Sequence, residues 1–144
     1  MPPTENKRAV RRMLKAFNTG DVHIVDELLA PSSKDETPFP GTSSTKEGLK
    51  QQITHLREAF PDAKFTIVYL VAEGETVAFR WKMVGTQRGE LFGRPASKKR
   101  VEHFGNDFVT FRRGKMVKHE SSDGHRQLLR KLGHDANELP PPTD

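Results

Sequence analysis

Apolar residues recur every three or four positions in three segments of the first sixty residues, and this spacing predicts three helices. The first helix ends at Gly20, the second is short and stops near Pro31, and the third spans 44–60, where Ser44 and Glu47 fit a capping box. The apolar positions are Val10, Met13, Leu14 and Phe17 in the first helix, Val22, Val25, Leu28 and Leu29 in the second, and Leu49, Ile53, Leu56 and Phe60 in the third.

Beyond residue 60 the apolar period changes to two or to short continuous runs, which is typical of strands. Four strands are predicted at 64–72, 76–85, 100–111 and 115–123. The stretch 87–93 is interrupted by glycines and is expected to be bent or bulged. The second half of the chain is therefore predicted to form a sheet.

Two further segments have distinctive compositions. Residues 31–44 are rich in Pro, Gly, Ser and Thr and predict a loop, in which Phe39 lies between two prolines and could form a pocket rim. A short last helix is expected before Gly133, and 134–144 is expected to be an irregular tail, as is 1–6.

Helices followed by a mostly antiparallel sheet of about four to six strands predict an α+β fold with the helices on one face. If such a sheet is curved, it leaves a cavity beneath the helices. With 144 residues, we expect one domain spanning 1–144.

The amino-acid composition limits the kinds of site and partner that the protein can have. Cysteine is absent, so a metal would need His or carboxylate ligands. The net charge of +5 is spread along the chain, and its basic clusters are not interleaved with aromatic residues, which argues against a nucleic-acid partner. No stretch is apolar enough for a signal or a membrane span, so we expect a cytoplasmic protein. Nucleotide-binding and His-Glu-x-x-His motifs are also absent.

Five segments in a fixed order resemble a known family: VRRM at 10–13, AFNTG at 16–20, GELFG at 89–93, GKMVKH at 114–119 and LRKLG at 129–133. Together the segments are similar to the SnoaL-like polyketide cyclases, in the superfamily of nuclear transport factor 2 and scytalone dehydratase. The resemblance covers nearly the whole chain. It implies a cone-shaped barrel, which is formed by a curved, mostly antiparallel mixed sheet with helices packed over one face. It also implies assembly as a homodimer or homotetramer.

The resemblance also implies a reaction. The best-known members of this family close the last ring of aromatic polyketides, including antibiotics, by intramolecular aldol condensation without a cofactor or metal. An acidic residue removes a proton next to a carbonyl group, and a nearby His assists the proton transfer. An apolar pocket suits this chemistry, because desolvation can raise the pKa of a carboxyl group toward the working pH.

Two positions depart from the family pattern. The catalytic Asp is expected two residues beyond the His of the last strand, where this chain has Ser121, and the assisting His is expected where it has Asp107. A serine hydroxyl is not a general base near neutral pH, so the family mechanism cannot transfer unchanged.

Alternation within the strands suggests a replacement. His103 and Asp107 share one face of their strand, and His119, Ser121 and Asp123 share one face of the next. A three-residue turn at 112–114 would place Asp107 opposite His119 and His103 opposite Asp123. A two-residue turn would put the two sets on opposite faces.

These pairs allow two interpretations. In the catalytic one, the carboxylate orients the imidazole, His119 acts as general base near a pKa of about 6.5, and Ser121 donates a hydrogen bond to a substrate oxygen. In the structural one, each pair is an ordinary cross-strand polar contact.

Four further residues are candidates for substrate binding. Arg80 is a charge within an otherwise apolar strand and needs a buried acid or an anionic ligand, and Trp81 and Phe39 could line the pocket. Glu36 occupies a position where many relatives carry a His at the pocket mouth, or else it is a solvated turn residue. The remaining histidines are interpreted as surface residues: His23, His55, His125 and His134.

The leading hypothesis is a cofactor-independent acid–base enzyme that acts on a hydrophobic polyketide-like molecule. Its catalytic candidates are Asp107, His119, His103, Asp123 and Ser121. A polyketide hydroxylase on the same fold and a non-catalytic small-molecule binding module remain open as alternatives.

Overall fold

A computed structural model describes residues 3–122 and 124–144. The chain begins with α1 (Pro3–Thr19) and α2 (His23–Leu28). Because α1 starts at Pro3, the prediction of an irregular segment at 1–6 is wrong for residues 3–6, and Asn6 is already buried. Proline is tolerated in the first turn of a helix, where its missing N–H would have no helical partner.

Strand β1 (Leu29–Asp35) follows α2 directly, in a region predicted to be a loop. It lies at the edge of the sheet and pairs in parallel with the last strand. An edge strand tolerates Pro31 because one side of its backbone has no ladder partner. The loop prediction is therefore wrong for most of the first half of 31–44.

Helix α3 (Lys46–Ala59) confirms the third predicted helix, but its capping box is absent. Thr45 is the N-cap residue and makes no side-chain cap bond. The backbone N–H and the hydroxyl of Ser44 instead donate to the carboxylate of Asp144.

Four antiparallel strands complete the sheet: β2 (Lys64–Glu73), β3 (Thr76–Thr86), β4 (Arg100–Arg112) and β5 (Lys115–Ser122). The strand order is β1-β5-β4-β3-β2. The predicted strands are thus confirmed: β2, β3 and β4 each end one residue later than predicted, and the predicted end of β5 at residue 123 lies outside the described residues. Between β3 and β4, Leu91 and Arg94 form an isolated bridge, and no strand forms at 87–93.

The last helix, α4 (His125–Lys131), precedes a tail that packs on the protein. Ala136 is buried, and the backbone N–H of Thr143 donates to the carbonyl of Thr42. The tail at 134–144 forms neither helix nor strand. Its last two residues form hydrogen bonds with Thr42 and Ser44 in the loop before α3.

The helices pack on one face of the five-stranded mixed sheet, which confirms the predicted α+β class. Apolar side chains from the inner face of the sheet and from the helices form the core. Among the helices described, none has the length and apolar character needed to cross a membrane.

Candidate active site

A cavity of about 100 Å³ lies between the helices and the inner face of the sheet. Most of its wall is apolar. Most of its polar side chains lie on or next to β1, β5 and β4, which run side by side, and the others come from the loop before α3, from α3 and from α4. The principal apolar lining residues are Val10, Met13, Leu14, Phe17, Leu56, Phe65, Phe79, Met83, Val109 and Leu128.

The hairpin between β4 and β5 differs from the predicted one. Arg112 pairs with Lys115, so the turn has two residues, Arg113 and Gly114, both with positive φ (52° and 79°). The register then shifts by one residue, and Val117 forms a bulge. Without the bulge, a two-residue turn would have sent the acidic and histidine residues to opposite faces.

The bulge brings the predicted residues together by another route. Asp107 is paired with Ser121, and His119 is paired with Val109, so the predicted direct pairing of Asp107 with His119 is wrong. The two side chains are diagonal neighbours on the same face, within reach of each other. His119 Nε2 lies 2.7 Å from Asp107 Oδ2.

His119 has a second carboxylate on its other side. Its Nδ1 lies 2.9 Å from Asp35 Oδ1, so each ring nitrogen faces an acidic oxygen. Only the doubly protonated ring can donate to both. Burial opposes this charge and is the largest single effect, but the hydrogen bonds and charges of Asp107 and Asp35 together raise the pKa of His119 to about 10.

The charge on His119 corrects one prediction. A His that acts as a general base must be neutral when substrate binds, and the raised pKa keeps His119 protonated at neutral pH. The expectation that it acts as a base near a pKa of 6.5 is therefore wrong. His119 is instead the cation that holds two carboxylates at the cavity wall.

Asp107 accepts three hydrogen bonds. Trp81 Nε1 and Ser121 Oγ both donate to Oδ1 at 2.9 Å, and His119 occupies Oδ2. The indole reaches Oδ1 because it lies across Gly105, its cross-strand partner. A Cβ atom at position 105 would come within 2.1 Å of the Trp81 ring.

Asp35 was missed by sequence analysis. It ends β1 and pairs with His119 in the parallel ladder, and the backbone N–H of Glu36 donates to the carbonyl of His119. Thr37 donates to Asp35 Oδ1 from its backbone N–H at 2.9 Å, and the Thr37 hydroxyl lies 3.4 Å from the same oxygen. Nothing in the local pattern of a Ser-rich and Pro-rich segment indicated this position.

Ser121 forms hydrogen bonds both with Asp107 and with Thr37 in the loop after β1. Its hydroxyl donates to Asp107, and its backbone N–H donates to Thr37 Oγ1 at 2.7 Å. It was predicted to donate to a substrate oxygen. Its hydroxyl proton is directed at Asp107 instead.

His103 lies deeper in the wall and is 2% exposed. Its ring packs edge-on against Trp81, with 5.7 Å between the ring centroids, and it lines the cavity. Its predicted partner, Asp123, lies outside the described residues. The His103–Asp123 pair therefore stays a prediction.

The four predicted binding residues separate into two groups. Trp81 and Phe39 line the cavity. Arg80 does not: it lies on the outer face, where it donates to Asn106 and stacks over Phe104, because successive residues of a strand point to opposite faces. Glu36 is exposed and outside the cavity lining, so both of these assignments are wrong.

Three of the four histidines interpreted as surface residues are half-buried. His55 stacks on Phe92, His134 lies 2.8 Å from Gln87, and His125 packs against Phe39 and lines the cavity. His23 is exposed, as expected. The helical spacing of His55 and His125 gave no warning, because their neighbours come from distant loops.

The arrangement suits proton transfer. Two carboxylates and one imidazolium, all three mostly buried, carry a combined charge of −1 at the wall of an apolar cavity that Lys34 also lines. Burial strengthens the interactions among these charges. In the described part of the chain, no group of three His, Asp or Glu side chains has a geometry that could hold a metal ion.

Comparison with known proteins shows which family and which solved structures the chain is similar to. Residues 7–132 match the model of the family described as SnoaL-like polyketide cyclase. No curated protein matches the chain.

Solved structures are similar over most of the chain. TsrD from Streptomyces laurentii is 26% identical, with a TM-score of 0.84 over 92% of this chain and 98% of TsrD. IdmH from Streptomyces antibioticus, provisionally named a polyketide cyclase, is 27% identical, with a TM-score of 0.76 over 89% of this chain and 98% of IdmH. AclR from Streptomyces galilaeus, provisionally named a hydroxylase, is 24% identical, with a TM-score of 0.78 over 92% of this chain and 83% of AclR.

Proposed function

Because the chain belongs to the SnoaL-like polyketide cyclase family, we propose that it is a cofactor-independent acid–base enzyme that closes a ring in a hydrophobic polyketide-like molecule by intramolecular aldol condensation. The observation that carries this proposal is the pair of carboxylates held by His119 at the polar end of an apolar cavity. An apolar wall would hold the carbon skeleton, and the charged end would meet its carbonyl groups.

The proposed reaction moves one proton from a carbon atom of the substrate to an oxygen atom of the product. A carboxylate of the cluster removes a proton from the carbon next to a carbonyl group, and the resulting enolate carbon attacks a second carbonyl carbon of the same molecule. A carbon–carbon bond forms while the π bond of the second carbonyl breaks. The new alkoxide then receives the proton.

The roles of the residues follow from their contacts. His119 keeps both carboxylates in place and offsets one of their two charges. Trp81 and Ser121 donate hydrogen bonds to Asp107. His119, Trp81 and Ser121 are therefore proposed to position the two carboxylates. Ser121 and Asp107 stand where the family resemblance expects Asp and His, and the proposed cluster replaces that pair.

Liquid chromatography with mass spectrometry can test the reaction with an aromatic polyketone that carries a keto side chain. We expect wild-type protein to convert it to an isomer of equal mass and different retention time, or to a product lighter by one water. His119→Gln should slow turnover by roughly 10²-fold or more, because the carboxylates lose their shared cation. Glu120→Gln is the matched control, since Glu120 is an exposed neighbour on the same strand.

Two outcomes would contradict the proposal. A product heavier by one oxygen, with oxygen consumption, would indicate a hydroxylase. A ligand that binds and is recovered unchanged would indicate a binding module.

The proposal includes assembly as a homodimer or homotetramer, as the family resemblance implies. The outer face of the sheet exposes Tyr69 (68%), Val71 (61%) and Phe108 (55%), which supports contact with another copy. Sedimentation velocity should give a mass of two or four chains. A monomer at micromolar concentration would contradict this part of the proposal.

A further inference from the structure

We infer that Asp35, rather than Asp107, is the catalytic base that removes the proton from the substrate carbon. This inference rests on the proposed function and names the group that performs its first step. It follows from which carboxylate oxygen of the cluster accepts no hydrogen bond from the described residues.

Asp107 has little capacity left. Three donors occupy its two oxygens: the Trp81 indole, the Ser121 hydroxyl and the His119 ring. They fill three of its roughly four lone-pair sites, and the remaining one is on Oδ2, beside the His119 N–H. A proton taken up there would weaken the His119 contact, which costs free energy at the moment of reaction that preorganised sites avoid.

His119 is excluded as the base because both of its nitrogens donate. Each ring N–H points at a carboxylate oxygen, and the ring has no lone pair to accept a proton. The imidazolium therefore acts on the substrate only through the carboxylates that it holds.

Asp35 differs from Asp107 in one respect. All of its hydrogen bonds converge on Oδ1, from His119 and from Thr37. Within residues 3–122 and 124–144, no donor contacts Oδ2, and this oxygen is not among the buried polar atoms that lack a partner, so it keeps accessible surface. Asp35 and Asp107 are the carboxylates of the described cavity wall, and Oδ2 of Asp35 is the oxygen of this pair that accepts no hydrogen bond from the described residues.

The position of Asp35 also allows it to complete the reaction. After Oδ2 takes the proton from carbon, the neutral carboxylic acid faces the newly formed alkoxide and can return the same proton to it. The charge of the cluster changes from −1 to zero and back, while His119 stays paired with Asp107. One group thus serves first as base and then as acid.

A small aromatic probe tests the base without knowledge of the natural substrate. In 5-nitrobenzisoxazole, a carboxylate removes the ring C–H proton, the N–O bond breaks, and the electron pair ends on a coloured nitrophenolate oxygen as the nitrile forms. We expect wild-type protein to accelerate this reaction over acetate at equal concentration. Asp35→Asn should slow it by roughly 10²-fold or more.

Asp107→Asn is the matched variant, because it removes the other carboxylate of the same cluster. It should slow the probe reaction by less than roughly 10-fold, since Asp107 only positions its neighbours on this inference. Asp35→Gly should regain activity when acetate is added, which a purely structural role for Asp35 would not produce. Near-ultraviolet circular dichroism checks that each variant is folded.

The outcomes separate the inference from the proposed function. Loss of the probe reaction in Asp107→Asn, with Asp35→Asn active, would overturn the inference and leave acid–base catalysis standing. The same holds if His103→Gln or His125→Gln abolishes the reaction while Asp35→Asn does not. A wild-type protein no faster than acetate would contradict the proposed function itself.

Discussion

At the scale of single residues, Trp81 and Gly105 face each other across strands β3 and β4. The indole lies over the Gly105 backbone, and its N–H reaches Asp107 two residues further along β4. The absence of a side chain at position 105 thus determines where an acidic side chain two residues away is held. Gly105 thus contributes to the site because its missing side chain leaves room for the Trp81 ring.

Gly105→Ala should destabilise the protein by about 1–3 kcal/mol, because the new Cβ would overlap the Trp81 ring and force it to move. Urea unfolding followed by circular dichroism measures this change. The cost should shrink in the Trp81→Leu background, where the overlapping ring is gone. An equal cost in both backgrounds would show that the contact with Trp81 is not its source.

At the scale of elements, the β4–β5 hairpin carries both sides of the acid–His contact. Arg113 and Gly114 form a two-residue turn with positive φ at both positions, which matches the twist of paired strands. The turn and the bulge at Val117 together determine which side chains face the cavity.

Gly114→Val should destabilise the protein by roughly 1–3 kcal/mol, because a β-branched residue is disfavoured at a φ of 79°. Thermal unfolding is the measurement. Gly114→Asn is the control and should cost less, since Asn adopts the left-handed region more readily. An unchanged melting temperature for the Val variant would mean that the turn does not constrain the hairpin.

Local patterns predicted the four helices and four of the five strands because their apolar spacing depends only on near neighbours. They failed at β1, whose residues pair with a strand far along the chain. Asp35 and His119 are 84 residues apart, and no local pattern indicates such a pairing. Asp35, one of the two acidic residues that line the cavity, was missed for this reason.

The predicted contact between His119 and Asp107 forms for a reason that the sequence did not contain. His119 and Asp107 do meet, but through a two-residue turn and a bulge rather than a three-residue turn. Val117 is a common strand residue, and its identity does not reveal a bulge. Arg80 was misplaced because its strand is partly buried on both faces.

At the scale of the whole molecule, the charge on His119 links stability to pH. Its folded pKa is about 10, whereas an unfolded His has a pKa of about 6.5. Below pH 6.5 both states bind the proton and the stabilisation is fully present. As pH rises toward 10, the unfolded state releases its proton first, and the folded state loses this advantage.

The free energy of unfolding should therefore fall by a few kcal/mol, at most roughly 1.4 kcal/mol per pH unit, between about pH 6.5 and pH 9.5. Urea unfolding across this range measures the slope, and NMR of the His119 ring gives the titration directly. Asp107→Asn should flatten the slope, because it removes one of the two carboxylates that raise the pKa. A His119 midpoint near 6.5 would contradict the imidazolium assignment.

The bulge at Val117 has a consequence for the comparison of relatives. A homologue with the same two-residue turn but no bulge must place its cavity-facing His one residue nearer to that turn. A gap-free alignment would then match the His to a residue on the outer face of the sheet. Insertions and deletions of a single codon in this hairpin are thus expected to redistribute functional positions between family members, even where the surrounding strands align well.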